Sequence, residues 1–214
     1  MSLVVTETRD QVFIVRINRP ERLNALGYQI RTELAEAWSN FRESKTLEVG
    51  IFTGTGRAFC AGADLRGARE GEDPGDFQLG NHGMREGADS NRENFYHGFT
   101  KLHYDISYIR KPTIAMINGT AVGSGLDMAL GCDIRIGCEN TRFVAYHQVG
   151  QIIENGGSFY LPRIAGLGRA LEFAYTGHLD ADRAYQWGIL NHLVSSDTLE
   201  KFTIELCQQI IGVP

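Results

Sequence analysis

An α/β fold is predicted, on three observations. Short apolar runs of strand length alternate with longer amphipathic stretches. Most of those runs lead into a glycine turn, as at Gly54-Thr55-Gly56, Gly62 and Gly123-Ser124-Gly125. Glycine itself is abundant, 25 of 214 residues, where about 7% is usual, so many tight turns are needed. The strand–turn–helix pattern repeats without a fixed period, which suggests strands stacked by successive turns of the chain.

Residues 11–18 (QVFIVRIN) alternate as a strand, with Val12, Ile14 and Ile17 apolar, and Arg19-Pro20 ends it. Residues 26–44 read as an amphipathic helix, because Ile30, Leu34, Trp38 and Phe41 recur at helical spacing. Residues 49–53 form a short buried strand before the first glycine turn. Residues 60–65 (CAGADL) make a second one. Residues 66–91 are rich in Gly, Asp, Glu and Arg, with a turn signal at Asp73-Pro74-Gly75. A long loop of that kind is expected to be a surface lid. Residues 95–109 read as a helix with Phe99, Leu102 and Tyr108 inward, stopped by Lys111-Pro112. Residues 134–138 and 142–146 are short strands divided by Glu139-Asn140. The remainder reads as four helices over 158–164, 167–175, 181–187 and 196–211.

The whole is organised around residues 113–133 (TIAMINGTAVGSGLDMALGCD). An apolar strand turns at Asn118-Gly119, passes a glycine-rich segment and enters a helix with Asp127 in its first turn. Unpaired N–H groups and the positive dipole end at such a helix start suit an anion, or a carbonyl oxygen becoming one. A second donor site is expected near Gly62-Ala63.

Composition bounds the rest. The length suits one domain with a real core. A net charge of −5, with no long Lys or Arg run, argues against a nucleic-acid scaffold. No apolar run approaches the roughly 20 residues of a membrane span, and the first residues are too polar for a signal peptide. A cytoplasmic protein with no membrane partner is expected. Cys60, Cys132, Cys138 and Cys207 lack C-x-x-C spacing and read as reduced, buried thiols, with neither a disulfide frame nor a metal site. Neither glycine pair completes G-x-G-x-x-G, there is no G-x-x-x-x-G-K-[ST], and Ser124 is not in G-x-S-x-G. Dinucleotide, P-loop and serine-hydrolase readings therefore fail.

Four motifs in order then carry a resemblance. They are Asn18-Arg19-Pro20 with Leu23-Asn24-Ala25-Leu26, residues 53–65 (TGTGRAFCAGADL), residues 117–125 (INGTAVGSG) and Cys132-Asp133-Ile134-Arg135. Along nearly all its length the chain resembles the crotonase (enoyl-CoA hydratase/isomerase) superfamily. The resemblance implies an α/β crotonase-type spiral of ββα turns with a C-terminal helical region. Residues 1–195 would be the core, and 196–214 the start of the helical region, which in relatives continues further, builds the trimer and covers part of the active site. It implies a homotrimer or hexamer and an acyl-CoA thioester substrate, with CoA part of that substrate and no separate cofactor. By position, the N–H groups of Ala63 and Ser124 would hold the thioester oxygen, serine standing where relatives usually have glycine. Arg22, Leu23, Ala25, Ala61, Asp64 and Leu65 would line the CoA moiety.

Hydratases of this family carry two glutamates that grip a water. Here the first position is Asp127, and the nearest match to the second is His147. Glu154 falls where a dienoyl-CoA isomerase carries aspartate. The resemblance thus implies an isomerase or another proton-transfer enzyme more than a simple hydratase, with Asp127, His147 and Glu154 as proton carriers. Two alternatives stand beside it: a CoA-independent β-diketone C–C hydrolase using His147, and a catalytically silent CoA-binding or assembly protein. Structural roles compete at each residue. Ser124 and Asp127 fit a capping box, His147 fits a satisfied core group, Glu154 a turn acid, and Asp64 a turn-positioning group. His82, His97 and His103 await geometry.

Overall fold

The computed structural model describes residues 2–64, 99–145 and 155–213. The expected lid at 66–91 lies outside them, as do Leu65, His82, His97, His147 and Glu154.

Two sheets are built in step. The larger runs β1 (Val4–Arg9), β2 (Val12–Ile17), β3 (Val49–Gly54), β5 (Thr113–Ile117), β7 (Ile134–Cys138) and β10 (His192–Val194). The smaller runs β4 (Ala58–Cys60), β6 (Thr120–Val122), β8 (Arg142–Val144) and β9 (His178–Asp180). The hairpin β1–β2 is antiparallel, and β2, β3, β5, β7 and β10 are parallel. Each pass of the chain lays one strand in each sheet: β3 then β4, β5 then β6, β7 then β8. That is the ββα spiral the resemblance implies, in a mixed α/β architecture.

Parallel strands buried on both faces must be apolar throughout. β3 and β5 are buried at every position. On one face of the large sheet, α1 (Tyr28–Glu43) seats Ile30, Leu34, Trp38 and Phe41, the set its spacing predicts, all at or below 1% exposure. Gly50 makes room there, since a Cβ would meet Trp38 and Phe41 at 2.9 Å. α2 (Phe99–Ser107) and α3 (Ser124–Gly131) extend the same core. α4 (Gly157–Ala165), α5 (Leu167–Thr176) and α6 (Ala181–Gln186) follow. The last helix, α7 (Leu199–Ile211), covers the other face through Leu199 and Cys207, against Val12, Ile14, Ile51, Ile114 and Ile136.

One inward assignment is corrected. α2 ends at Ser107, so Tyr108 falls past its last turn and is 65% exposed. The inward residues of that helix include Leu102, His103 and Ile106. All four cysteines are free and buried. Among the described residues, no helix is long and apolar enough to cross a membrane.

Candidate functional site around Ala63 and Ser124

The site begins with a loop that folds on itself. After a 3-10 turn at Pro20–Arg22, Leu23 and Asn24 both take left-handed backbone (φ 52° and 59°). Asparagine tolerates that conformation better than most residues. The Asn24 side chain is fully buried, accepts from Arg19 N–H (3.0 Å) and donates to the carbonyls of Thr55 (3.0 Å) and Ala58 (2.8 Å). It therefore ties the loop to the β3–β4 connection.

Residues 61–64 come back alongside this loop. Ala61 N–H donates to Leu23 O (3.0 Å), Leu26 N–H to Gly62 O (2.7 Å) and Asp64 N–H to Leu26 O (3.0 Å), making Leu26 and Ala63 an isolated parallel bridge. In such a bridge the strand bonds through the neighbours of the paired residue. Ala63's own N–H therefore faces away from Leu26. Asp64, 4% exposed, bonds Arg19 Nη1 through Oδ2 at 2.6 Å. That ion pair pins the turn, the positioning role open to Asp64 from sequence.

The second arm is the start of α3. Gly123, at φ 53° and ψ −120°, is the N-cap, in a region of backbone space that glycine enters at low cost. Its N–H donates to Val144 O (3.1 Å), and its C=O accepts the first helical bond from Asp127 N–H (2.9 Å). The amides of Ser124, Gly125 and Leu126 thus precede the first intrahelical bond. The cap has no side-chain hydrogen bond, so the capping-box reading is corrected. Ser124 is the first helical residue, one position too late to cap.

The two arms touch. A Cβ placed on Gly62 (φ 78°) would lie 2.8 Å from Val122 O and 3.6 Å from Ser124 N. A Cβ on Gly125 would lie 2.4 Å from Cys60 O. Both glycines are required for backbone to pack on backbone. Cys60 Sγ also accepts from Gly62 N–H at 3.4 Å.

Around this contact the polar side chains are sequestered. Ser124 is 2% exposed and Asp127 0%. His103, 6% exposed, places Nε2 3.1 Å from Ser124 O, so geometry brings forward one histidine of the three left open. Asn155, in left-handed backbone (φ 46°), directs Nδ2 to Ser124 Oγ at 3.4 Å. Sequence reasoning did not single out Asn155. An asparagine before Gly156-Gly157 signals only a turn, and nothing in the local pattern ties it to a residue 31 positions earlier. Of the residues expected at CoA, Arg22, Leu23, Ala25, Ala61 and Asp64 all lie on the paired segments just described.

The far end of α3 is held by the fourth motif. Arg135, buried, donates to Cys132 O (2.7 Å), Ile189 O (2.7 Å) and Asn191 Oδ1 (3.2 Å), and Asp133 accepts from Thr113 N–H and Oγ1 (both 2.8 Å). Burial pushes the Cys132 thiol up to about 12, against the pull of the Arg135 charge. Cys132-Asp133-Ile134-Arg135 is scaffolding.

Comparison with known proteins agrees with this architecture. The sequence profile of the enoyl-CoA hydratase/isomerase family matches residues 7–214. The chain is 32% identical over 216 residues to the 1,2-epoxyphenylacetyl-CoA isomerase of Escherichia coli K12, covering 100% of this chain and 78% of that protein. It is 36% identical over 207 residues to the carnitinyl-CoA dehydratase of Proteus mirabilis, covering 95% and 72%. The crystal structure of an enoyl-CoA hydratase from Bacillus anthracis superposes with a TM-score of 0.84 at 28% identity, covering 98% of this chain and 76% of that one. A profile match over almost the whole sequence, two relatives above 30% identity and a shared spiral lead to one conclusion: the chain belongs to the enoyl-CoA hydratase/isomerase (crotonase) family.

Proposed function

We propose that this enzyme processes an acyl-CoA thioester through an enolate whose oxygen is held by the N–H groups of Ala63 and Ser124. The observation that carries the reading is the contact of the two arms: Gly62 packs on the Val122–Ser124 backbone while the bridge to Leu26 turns the Ala63 amide outward. Two relatives are named for CoA compounds, one as an isomerase and one as a dehydratase, which supports an acyl-CoA substrate here.

The chemistry follows from what such donors do. A proton beside a thioester carbonyl is weakly acidic. When a base removes it, the bonding pair moves into the C–C–O system and charge gathers on oxygen. Two fixed amides in a water-poor site stabilise that charge, each worth about 2.7–4 kcal/mol in comparable sites. The same proton, or another, then returns at a different carbon, which shifts a double bond.

Asp127 is the carboxylate of α3's first turn and is buried, as a proton carrier in such a site should be. His147 and Glu154 are its proposed partners, on family position. With aspartate and histidine where hydratases place two glutamates, isomerisation or another proton transfer is favoured over hydration. Arg22, Leu23, Ala25, Ala61, Asp64 and Leu65 would line the CoA moiety. A homotrimer or hexamer is proposed, supported by exposed Phe159, Leu167 and Tyr175 on α4 and α5 (52%, 64% and 78%).

The test is turnover on a panel of 2-enoyl-, 3-enoyl- and dienoyl-CoA substrates. Double-bond migration is expected to outpace formation of hydrated product. Silence on every member, or hydration alone, contradicts the proposal.

A further inference from the structure

We propose that His103 and Asn155 are positioning residues that hold the Ser124 amide in place by gripping Ser124 from two sides. The inference rests on the role proposed above for that amide.

Ser124 stands between Gly123 and Gly125. Gly123 occupies a backbone conformation open mainly to glycine (φ 53°, ψ −120°), and Gly125 packs directly on Cys60. Glycines shape such a turn but leave it nothing to be held by except its main chain. In the tripeptide, Ser124 alone offers a side chain. Two elements distant in sequence reach that one residue. From α2, His103 Nε2 lies 3.1 Å from Ser124 O. A carbonyl only accepts, so this nitrogen carries the proton. His103 is itself braced, its own carbonyl accepting from Ser107 Oγ at 2.8 Å. From the turn before α4, Asn155 Nδ2 approaches Ser124 Oγ at 3.4 Å. Two main-chain bonds complete the hold: Gly123 N–H to Val144 O at 3.1 Å fixes the preceding peptide, and Gly123 O, accepting from Asp127 N–H at 2.9 Å, fixes the peptide that supplies the Ser124 N–H.

The serine that departs from the family's usual glycine therefore acquires a function: its hydroxyl is a handle that glycine lacks, added to the main-chain carbonyl that His103 reaches. Tilting the turn would move the amide off the oxygen it must meet, and an oxyanion donor works only when its geometry is set before the reaction.

A double-mutant cycle reads this out on a turned-over enoyl-CoA. Asn155→Ala and Ser124→Ala are each expected to lower kcat about 10-fold with KM within about twofold, as a small misplacement of a catalytic group does. The double variant should lose no more than either single one, since Asn155 acts through the Ser124 hydroxyl. His103→Leu should lose about 10-fold, and His103→Gln, which keeps an N–H donor, should recover most of it. Losses that multiply in the cycle, or an unchanged kcat in the single variants, overturn the proposal.

Hydrogen exchange on the ligand-free protein gives a readout that needs no turnover. The amides of residues 123–126 should exchange about 10-fold faster in Asn155→Ala and His103→Leu, with those of β5 unchanged. No change at 123–126, or equal acceleration throughout, counts against the clamp. If the wild-type chain turns over no CoA thioester but the exchange result holds, the proposed reaction fails and the clamp stands.

Discussion

At Gly125 a single added carbon would break the site. Its Cβ would sit 2.4 Å from the Cys60 carbonyl oxygen and 2.7 Å from Cys60 Cβ, both fixed by β4. Gly125→Ala is expected to lower stability by about 1–3 kcal/mol, the range for overpacking a filled interior, read by urea unfolding. Turnover should fall further than stability explains, because α3 would lift off the turn that carries Ala63. Asp127 makes a separate prediction. If it moves the substrate proton, Asp127→Asn lowers kcat about 100-fold or more with little change in KM, and an unaltered rate removes it from the mechanism. At this scale the sequence was partly legible. Ala63 and Ser124 lie within motifs whose order is readable and Asp127 falls two residues past one of them, whereas His103 and Asn155 come to the site through contacts with a residue 21 and 31 positions away. No local pattern encodes such a meeting.

Among the elements, α1 was the most legible, because four large apolar residues recur at its helical spacing and all four are buried. Four of the five three-residue strands, β4, β6, β9 and β10, were not, since three residues display no period. β1 was missed for another reason: five of its six residues are at least partly exposed, so its sequence does not look like a core strand. What anchors β1 is a side chain on α1. Glu33 Oε2 accepts from Val4 N–H (2.8 Å), Leu3 N–H (3.0 Å) and Ser2 Oγ (2.9 Å), and its other oxygen from Gln29 (2.7 Å). Burial alone would raise the Glu33 pKa, but these hydrogen bonds outweigh it and hold the carboxyl below its ordinary value of 4.5. A depressed folded value means that the stabilisation is complete above the ordinary value and lost as pH falls through the folded one. Acid should therefore loosen the β1–α1 junction. Glu33→Gln is expected to cost on the order of 1 kcal/mol at neutral pH and to flatten the acid limb of a stability–pH curve measured by denaturant unfolding.

Across the whole molecule, the spiral sets the chemistry by bringing distant turns into register. β4 and β6 lie side by side, so the residues that follow each strand, 61–64 and 123–125, meet at the same edge. The fold was legible in the order of four motifs rather than in composition, which only bounds the class. The same packing encloses all four thiols, and burial pushes those of Cys132 and Cys207 up to about 12. A thiol-specific reagent at neutral pH should label the native protein slowly and reach four groups only on unfolding, and rapid labelling of the native chain would show that the enclosure is open.

The proposed chemistry depends on two backbone amides from separate turns sharing one acyl oxygen. A crystal structure with a bound, non-reacting acyl-CoA thioester analogue tests it most directly. The thioester oxygen is expected within about 2.7–3.2 Å of both Ala63 N and Ser124 N. An oxygen that contacts only one of them, or lies elsewhere on the chain, would contradict it.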